Sequence, residues 1–423
     1  MQPGWLELLP IGQWFRISGD RPDLNLPPTP SGTRYLVDND PAMDPVLNPA
    51  RSGKERLRRW LGRRPCSPWQ GRGGLASITE AWNGAVLASR FGECGSMVVF
   101  GGGHNDYFGS DLHAFDLSTR HWSRISDGYI SRNMKDYGNG AVYPNAEYPD
   151  GSPLPPHTYE YVQYDPAGND YILFKGQLEL GPDVKAAAIP HLFNLDTLSW
   201  RRGPRHPAAV LNSGGCTAWD TNRRVVWGHS GDAGGGNAFL AFDPQGRNAD
   251  GTFGSWGEMF SNKLAGEADH NSMAIEPNRD ILVLAVHARN ALCALDLEHP
   301  EQPLKRLDST HDQPRLAEYA ALEFAPNLQA FVYFSAGSGA TVYSVTPPAG
   351  ANWTELAAGT WRWQSLLAEN NRLDPVADAS RSSALEVNIT HTFGRFRVAS
   401  YADVDVAILV RHVDSPVYAM RLT

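Results

Sequence analysis

Seven of the thirteen histidines of this 423-residue chain stand at the beginnings or the ends of short apolar segments. They are His104, His157, His229, His270, His287, His391 and His412. A single histidine in such a place most often hydrogen-bonds to nearby backbone groups. Several imidazoles in one place are different, because neutral imidazole binds divalent metals and titrates near neutral pH. If the fold brings these residues together, they predict metal binding, proton transfer or anion recognition.

Tyrosine and arginine residues beside the same segments would complete a catalytic set for β-elimination from a uronate sugar. That reaction needs a cation at the carboxylate, a base for the α-proton and an acid for the leaving oxygen. His104 and His157 are the candidate bases. Tyr159 and Tyr319 are the candidate acids, and Arg289 is the candidate neutralising cation.

The remaining candidates would hold the substrate or a metal. The substrate-binding candidates are Asn83, Asp106, Tyr107, His229, Asp232, His270, Asn271, His391 and His412. A divalent metal, if one binds, would be held by His229, His270 and His287. Neither a His-x-His nor a His-Glu-x-x-His spacing supports this metal, so the cofactor stays unknown.

A recurring unit of four short strands, a to d, would position these residues. In the first unit, Met97 to Phe100 is an apolar run that ends at three glycines, and a second run, Leu112 to Leu117, is followed by Trp122. Apolar runs bounded by glycine and turn residues favour strands. The six units cover residues 83–126, 158–200, 216–256, 272–307, 319–363 and 394–423.

The last unit lacks strand d, whereas the segment from Gln13 to Ser18 is a strand d without a unit. Pairing the two would close a ring and hide two sheet edges. The sequence therefore predicts an all-β, six-bladed β-propeller closed by an N-terminal strand. The alternative is a seventh blade within residues 19–80. The predicted layout is a closing strand in residues 1–18, an extension in 19–80 and the propeller in 81–423.

The propeller geometry predicts where the candidates meet. In a four-stranded antiparallel blade, the start of strand a and the end of strand b lie on the same face, and strand a lines the central channel. The seven histidines fall at these two positions. We therefore expect them to converge at one mouth of the channel.

Several of these features resemble known families. Gly101-Gly-Gly, Leu112-His-Ala-Phe-Asp and Trp122 resemble the kelch motif, and the match covers roughly residues 80–420. Trp82-Asn-Gly followed by Gly-Gly-Gly-His-Asn-Asp-Tyr107 is similar to uncharacterised propellers encoded by bacteria and their phages. Propeller polysaccharide lyases such as ulvan lyases are a more distant likeness. These resemblances imply a kelch-like propeller, whereas function has to come from the site.

Composition excludes some classes of function. A net charge of −9 argues against general nucleic-acid binding, which needs clustered positive charge. No apolar run reaches the roughly 20 residues that span a bilayer, and residues 1–10 do not resemble a secretory leader. We expect a cytoplasmic protein or a virion component.

The four cysteines show no paired spacing and predict buried free thiols. The basic segment 51–64, with seven lysines and arginines, predicts a solvated helix or a surface for a protein partner.

Three classes of function remain open. The mouth could be the site of a polysaccharide lyase, or it could bind a polysaccharide or surface glycan without cleaving it, as a virion adsorption protein would. The propeller could instead be a protein-interaction platform whose histidines are structural. Glycan recognition fits the polar, aromatic mouth best.

Overall fold

The computed structural model describes residues 1–18, 36–37, 77–80, 82–102, 109–126, 129–130, 144–174, 189–206, 214–229, 238–261, 271–350, 352–378, 392–411 and 415–423. Within them the chain is almost entirely β-structure. Two strands, β1 (Trp14–Arg16) and β2 (Leu36–Val37), precede the first blade. The short helices are α1 (Ser77–Glu80), α2 (Trp353–Ala358) and α3 (Pro375–Asp378), with 3-10 turns at Leu6–Leu8, Pro144–Ala146, His287–Arg289 and Ala336–Ser338.

Almost all the other strands belong to six antiparallel meanders, which we number as blades in chain order. Blade 1 contains β3 (Ala85–Ala88), β4 (Ser96–Val99), β5 (His113–Asp116) and β6 (Trp122–Arg124), and β7 (Tyr129–Ile130) follows it. Blade 2 contains β8 (Val162–Asp165), β9 (Asp170–Leu173), β10 (His191–Asn194) and β11 (Ser199–Arg202). Blade 3 contains β12 (Cys216–Asp220), β13 (Val225–His229), β14 (Ala238–Arg247) and β15 (Phe253–Ser261).

Blades 4 to 6 follow the same meander. Blade 4 contains β16 (Ser272–Glu276), β17 (Ile281–Val286), β18 (Ala291–Asp296) and β19 (Lys305–Arg306), and β20 (Asp308–Ser309) follows it. Blade 5 contains β21 (Ala321–Ala325), β22 (Ala330–Phe334), β23 (Val342–Thr346) and β24 (Thr360–Ser365). Blade 6 contains β25 (Phe396–Tyr401), β26 (Val404–Val410) and β27 (Val417–Arg421).

The first strand of each blade lines the central channel. Around the ring, each of these six inner strands lies against the next, in the order β3, β8, β12, β16, β21, β25 and back to β3. Because β25 contacts β3 directly, the ring closes with six blades. The prediction of six blades is confirmed, and the seven-bladed alternative is wrong.

The N-terminal strand completes blade 6, as predicted. β1 pairs antiparallel with β27, so that Trp14 lies opposite Met420 and Arg16 lies opposite Tyr418. Further backbone hydrogen bonds extend this pairing, from Gly12 N to the carbonyl oxygen of Arg421 (2.9 Å) and from Ile17 N to that of Val417 (2.9 Å). The two ends of the chain therefore hold one sheet together.

Blade 4 departs most from the repeat, at its outer edge. Its fourth strand, β19, has only two residues, and the chain then crosses to blade 5, where β20 pairs in parallel with β24. This unit lacks the tryptophan that is present in strand d of blades 1 to 3, which is a reason for the difference. The predicted 19–80 extension is described only at 36–37, where β2 pairs with β7, and at 77–80.

Apolar side chains from facing sheets fill the spaces between blades. Between blades 1 and 2, for example, Val98 and Ala114 pack with Tyr171 and Leu173, all of them buried. Fully burying one large aliphatic side chain of this kind contributes about 1.5–3 kcal/mol. Cys94, Cys216 and Cys293 are buried free thiols, as predicted. None of the helices in the described ranges is long and apolar enough to cross a membrane.

The six inner strands run in the same direction along the channel, which gives it two different ends. We call the end where these strands begin the upper mouth and the end where they finish the lower mouth. At the lower mouth, tight turns lead into the second strands. Carboxylates cap several of these turns: Asp220 Oδ1, for example, accepts hydrogen bonds from Asn222 N and Arg223 N, both at 2.9 Å.

Candidate functional site at the upper mouth

Four inner strands are preceded by an aromatic residue with a left-handed backbone. Trp82, Tyr159, Tyr319 and Phe393 have φ angles of 47°, 46°, 56° and 47°. They belong to blades 1, 2, 5 and 6, which are neighbours around the ring. A bulky side chain rarely adopts this conformation, so the surroundings must hold it there. Such strain, repeated at one end of the channel, marks the upper mouth as the candidate site.

Backbone hydrogen bonds between blades hold these residues in place. Tyr159 N donates to the carbonyl oxygen of Trp82 (2.7 Å), and Phe393 N donates to that of Tyr319 (3.1 Å). Gly84 shows how closely the segments approach, because a Cβ at this position would collide with the carbonyl oxygens of Tyr159 and Phe393. Only glycine fits there without a shift of the backbone.

The aromatic rings contact one another across the blades. The ring centroids of Trp82 and His157 are 4.5 Å apart, and those of His157 and Tyr159 are 5.9 Å apart and nearly perpendicular. Phe393 then joins Tyr159 (6.3 Å) to Tyr319 (4.5 Å). We call these five side chains the aromatic crescent. Its two ends, Trp82 and Tyr319, are half-buried, whereas the three rings between them are buried.

The structure thus brings together three of the predicted catalytic residues, His157, Tyr159 and Tyr319. His157 and Tyr159 are in ring contact, and both are buried, with exposed fractions of 5% and 7%. Asn83 lies beside them and is fully buried. Its Oδ1 accepts a hydrogen bond from Thr158 N (3.1 Å), so this side chain orders the segment that carries His157 and Tyr159.

A second group of predicted residues lies between blades 4 and 5. His287 N donates to Asn271 Oδ1 (3.4 Å), and His287 Nε2 lies 3.4 Å from Glu318 Oε1. Arg289 is in the same 3-10 turn as His287 and is half-buried. Glu318 directly precedes Tyr319 of the aromatic crescent in the chain.

His229, predicted as a substrate or metal ligand, is fully buried at the end of β13. Its ring packs against Phe239 with centroids 4.5 Å apart. Burial lowers the pKa of His229 to about 4, so the ring is neutral at pH 7. The described residues contain no group of three side chains suited to hold a metal ion. His270, the third predicted metal ligand, lies outside them, and the metal site stays a prediction.

The remaining predicted residues also lie outside the described part of the chain. They are His104, Asp106, Tyr107, Asp232, His391 and His412. Their roles, and that of the basic segment 51–64, stay predictions.

The channel interior contains charged residues that the sequence analysis did not select. Arg397 Nη1 donates to Glu323 Oε1, and its Nε donates to the carbonyl oxygen of Ala85 (2.7 Å). Glu160 lies close by and is also buried. Burial raises the pKa of Glu160 to about 8, against the opposing effect of Arg397. Glu323 and Arg397 interrupt the apolar sequences of Ala321–Ala325 and Phe396–Ala399, and that contrast was the available signal.

The buried imidazole of His229 should make folding sensitive to acid. Because its pKa is depressed in the folded state, its stabilisation is present above pH 6.5 and is lost as the pH falls towards 4. We expect the native protein to lose up to about 3 kcal/mol more than the variant His229→Gln between pH 7 and pH 4. Urea unfolding at several pH values measures this difference. His311→Gln, at an exposed position, is the control. If the free energy of unfolding depends on pH equally in the native protein and in His229→Gln, the prediction is contradicted.

Comparisons with known proteins add no family to the six-bladed β-propeller that the sheets define. No protein-family profile matches the chain, and no curated protein matches its sequence. Among solved structures, it is similar to the major allergen Mala s 1 of Malassezia sympodialis, with 10% identity and a TM-score of 0.44 over 82% of this chain and 93% of that one. It is also similar to a chain of a nidogen/laminin complex, with 9% identity and a TM-score of 0.37 over 67% of this chain and 85% of that one. The kelch, phage and lyase resemblances stay predictions.

Proposed function

We propose that this protein is a carbohydrate-binding propeller and that the aromatic crescent at the upper mouth is its binding surface. The observation that carries this proposal is the row of rings held by strained backbone on four adjacent inner strands. Aromatic side chains with a polar edge suit ligands that are apolar on one face and polar at the rim. The C–H face of a sugar and its hydroxyl groups have this character.

The two ends of the crescent are the parts that a glycan would meet first. Trp82 and Tyr319 are half-buried, so each keeps ring surface for stacking. Their backbones are tied to neighbouring blades, so little conformational entropy is lost when a sugar binds. A chain of sugar rings lying across the mouth would contact both ends.

Cleavage by β-elimination is the second candidate function, and the contact between His157 and Tyr159 favours it. In this reaction His157 would take the proton from C5 of a uronate ring. The electron pair would form the C4–C5 double bond, the C4–O4 bond would break, and the Tyr159 hydroxyl would donate its proton to the departing oxygen. Non-catalytic adsorption to a surface glycan, as on a virion, would need the crescent but not this proton transfer.

Two substitutions test binding while keeping the backbone conformation. Asparagine tolerates a left-handed backbone, so Trp82→Asn and Tyr319→Asn remove a ring without adding strain. We expect each to weaken binding to a responsive polysaccharide about tenfold or more, since one stacked ring contributes roughly 0.5–1.5 kcal/mol beyond its buried area. Calorimetric titration against a panel of neutral and uronate-containing polysaccharides measures the affinity.

Trp353→Asn is the matched control, because this half-buried tryptophan lies in α2, between the outer strands of blade 5. The same panel is followed by ultraviolet absorbance of unsaturated uronate. An increase in this absorbance that is abolished both by His157→Gln and by Tyr159→Phe would establish β-elimination. If no polysaccharide binds, or if Trp353→Asn weakens binding as much as Trp82→Asn does, the proposed function is wrong.

A further inference from the structure

The channel has a cavity at its lower mouth that the proposed function does not use. Its volume is about 190 Å³, and residues of the inner strands of blades 2 to 6 line it. Thr221 and Pro326, in the turns that follow two of these strands, form its exposed rim. The cavity therefore opens on the face opposite to the aromatic crescent.

Three polar side chains form the floor of this cavity at one level of the channel. Gln163, Glu323 and Arg397 each stand four residues after the left-handed aromatic residue of their blade, and all three line the cavity. Arg397 and Glu323 form an ion pair. Glu160 lies behind them with its pKa raised to about 8, so it is mostly protonated at pH 7.

This charge balance selects against ions. The paired Arg397 and Glu323 sum to zero, and a protonated Glu160 adds no charge. An added cation would be attracted by Glu323 but repelled by Arg397, and an added anion the reverse, so neither ion finds an unpaired countercharge. Because a charge enters a buried site at high cost unless it finds a partner there, the cavity suits a neutral ligand.

The floor also offers hydrogen-bond acceptors. Among the described residues, Glu323 accepts from Arg397 through Oε1, which leaves Oε2 for a further donor. Gln163 Nε2 donates to the carbonyl oxygen (2.8 Å) and Oγ1 (3.2 Å) of Thr217, which leaves its Oε1 as an acceptor. A ligand with several hydroxyl groups could satisfy both atoms.

The walls of the cavity are partly aromatic. Trp219 and Phe324 line it and are half-buried, so each presents some ring surface. In size the cavity compares with an engineered cavity of about 150 Å³ that holds benzene. It could therefore hold one substituted six-membered ring.

We propose that the lower mouth binds a single neutral sugar ring or a cyclic polyol of the same size, in a site separate from the aromatic crescent. Trp219 and Phe324 would contact the apolar face of the ring, and Glu323 and Gln163 would accept hydrogen bonds from its hydroxyl groups. This site does not depend on glycan binding at the upper mouth.

The test uses glucose, galactose, mannose and myo-inositol as probes, with tetramethylammonium and acetate as charged controls. Saturation-transfer NMR on the full chain detects contact, and calorimetric titration gives the Kd. We expect at least one polyol to bind and neither ion to do so. Gln163→Met, which keeps the ion pair of Arg397 and Glu323, should weaken that binding about tenfold.

A second variant controls for any change that Gln163→Met makes in the interior of the fold. Thr221 is exposed at the rim, so Thr221→Trp should cover the entrance, leave melting unchanged and abolish binding. Trp82→Asn at the upper mouth should leave binding of these probes intact, which separates this site from the proposed glycan surface. No binding by any polyol, binding of an ion instead, or binding lost in Trp82→Asn but kept in Thr221→Trp would overturn the proposal.

Discussion

Deletion of residues 1–18 is expected to prevent formation of a stable propeller. These residues contain β1, whose loss would expose the edge of β27 in the closing blade. They also contain Trp14, which is 3% exposed, packs edge-on against Phe334 with centroids 5.7 Å apart, and donates from Nε1 to the carbonyl oxygen of Ala340 (2.7 Å). One buried tryptophan alone contributes about 3–5 kcal/mol, against a usual total of about 5–15 kcal/mol for a domain.

Thermal melting and solubility of the truncated protein measure this effect. Two single substitutions within residues 1–18 provide a scale for its size. Trp14→Ala should lower the free energy of unfolding by about 3–5 kcal/mol. Leu8→Ala should leave it nearly unchanged, because Leu8 is 79% exposed. A synthetic peptide of residues 1–18 added to the truncated chain should restore part of the lost stability. A truncated protein that melts like the intact one would contradict the role of β1 in closing the ring.

Arg397→Met is expected to have the next largest effect, a loss of about 3–5 kcal/mol in the free energy of unfolding. The guanidinium joins blade 6 to Glu323 in blade 5 and to the carbonyl oxygen of Ala85 in blade 1. Its removal leaves the half-buried Glu323 carboxylate without its cation. The pKa of Glu323, which burial already raises, would rise further.

The pH dependence of that loss identifies its cause. A carboxyl group whose pKa is raised by folding favours the folded state below its unfolded pKa, and this contribution is lost as the pH rises through the folded pKa. The cost of Arg397→Met should therefore be smaller at pH 5 than at pH 8. Adding Glu323→Gln should recover part of the stability at pH 8, as a double-mutant cycle would show. Arg362→Met, on an exposed position of β24, is the control, and a cost independent of pH would argue for lost packing instead.

The arrangement of the chain as a ring was predictable because each blade repeats the same local signals. Glycine-bounded apolar runs gave the second and third strands of blade 1, and Trp122, Trp200 and Trp256 marked the fourth strand of blades 1 to 3. The unpaired strand at Gln13–Ser18 predicted closure, since a sheet edge left open in blade 6 would be costly. The crossing of β20 to blade 5 was not predictable, because a parallel pair of two residues has no local pattern.

The site was predictable only in part. His157, Tyr159 and Tyr319 were selected because they stand where inner strands begin, and the structure places all three in the aromatic crescent. Phe393 was not selected, because an apolar residue at a strand start has no distinctive chemistry in the sequence. Its role comes from its position between Tyr159 and Tyr319 in neighbouring blades.

The sequence by itself determined the class of fold and the number of blades, because these follow from a local pattern that repeats along the chain. Only the tertiary structure decided which residues meet across blades. Glu160, Glu323 and Arg397 are separated by up to 237 positions in the chain, and closing the ring brings them together inside the channel. Their pKa shifts and the cavity beside them arise from that closure, since burial and neighbouring charge are properties of the assembled ring.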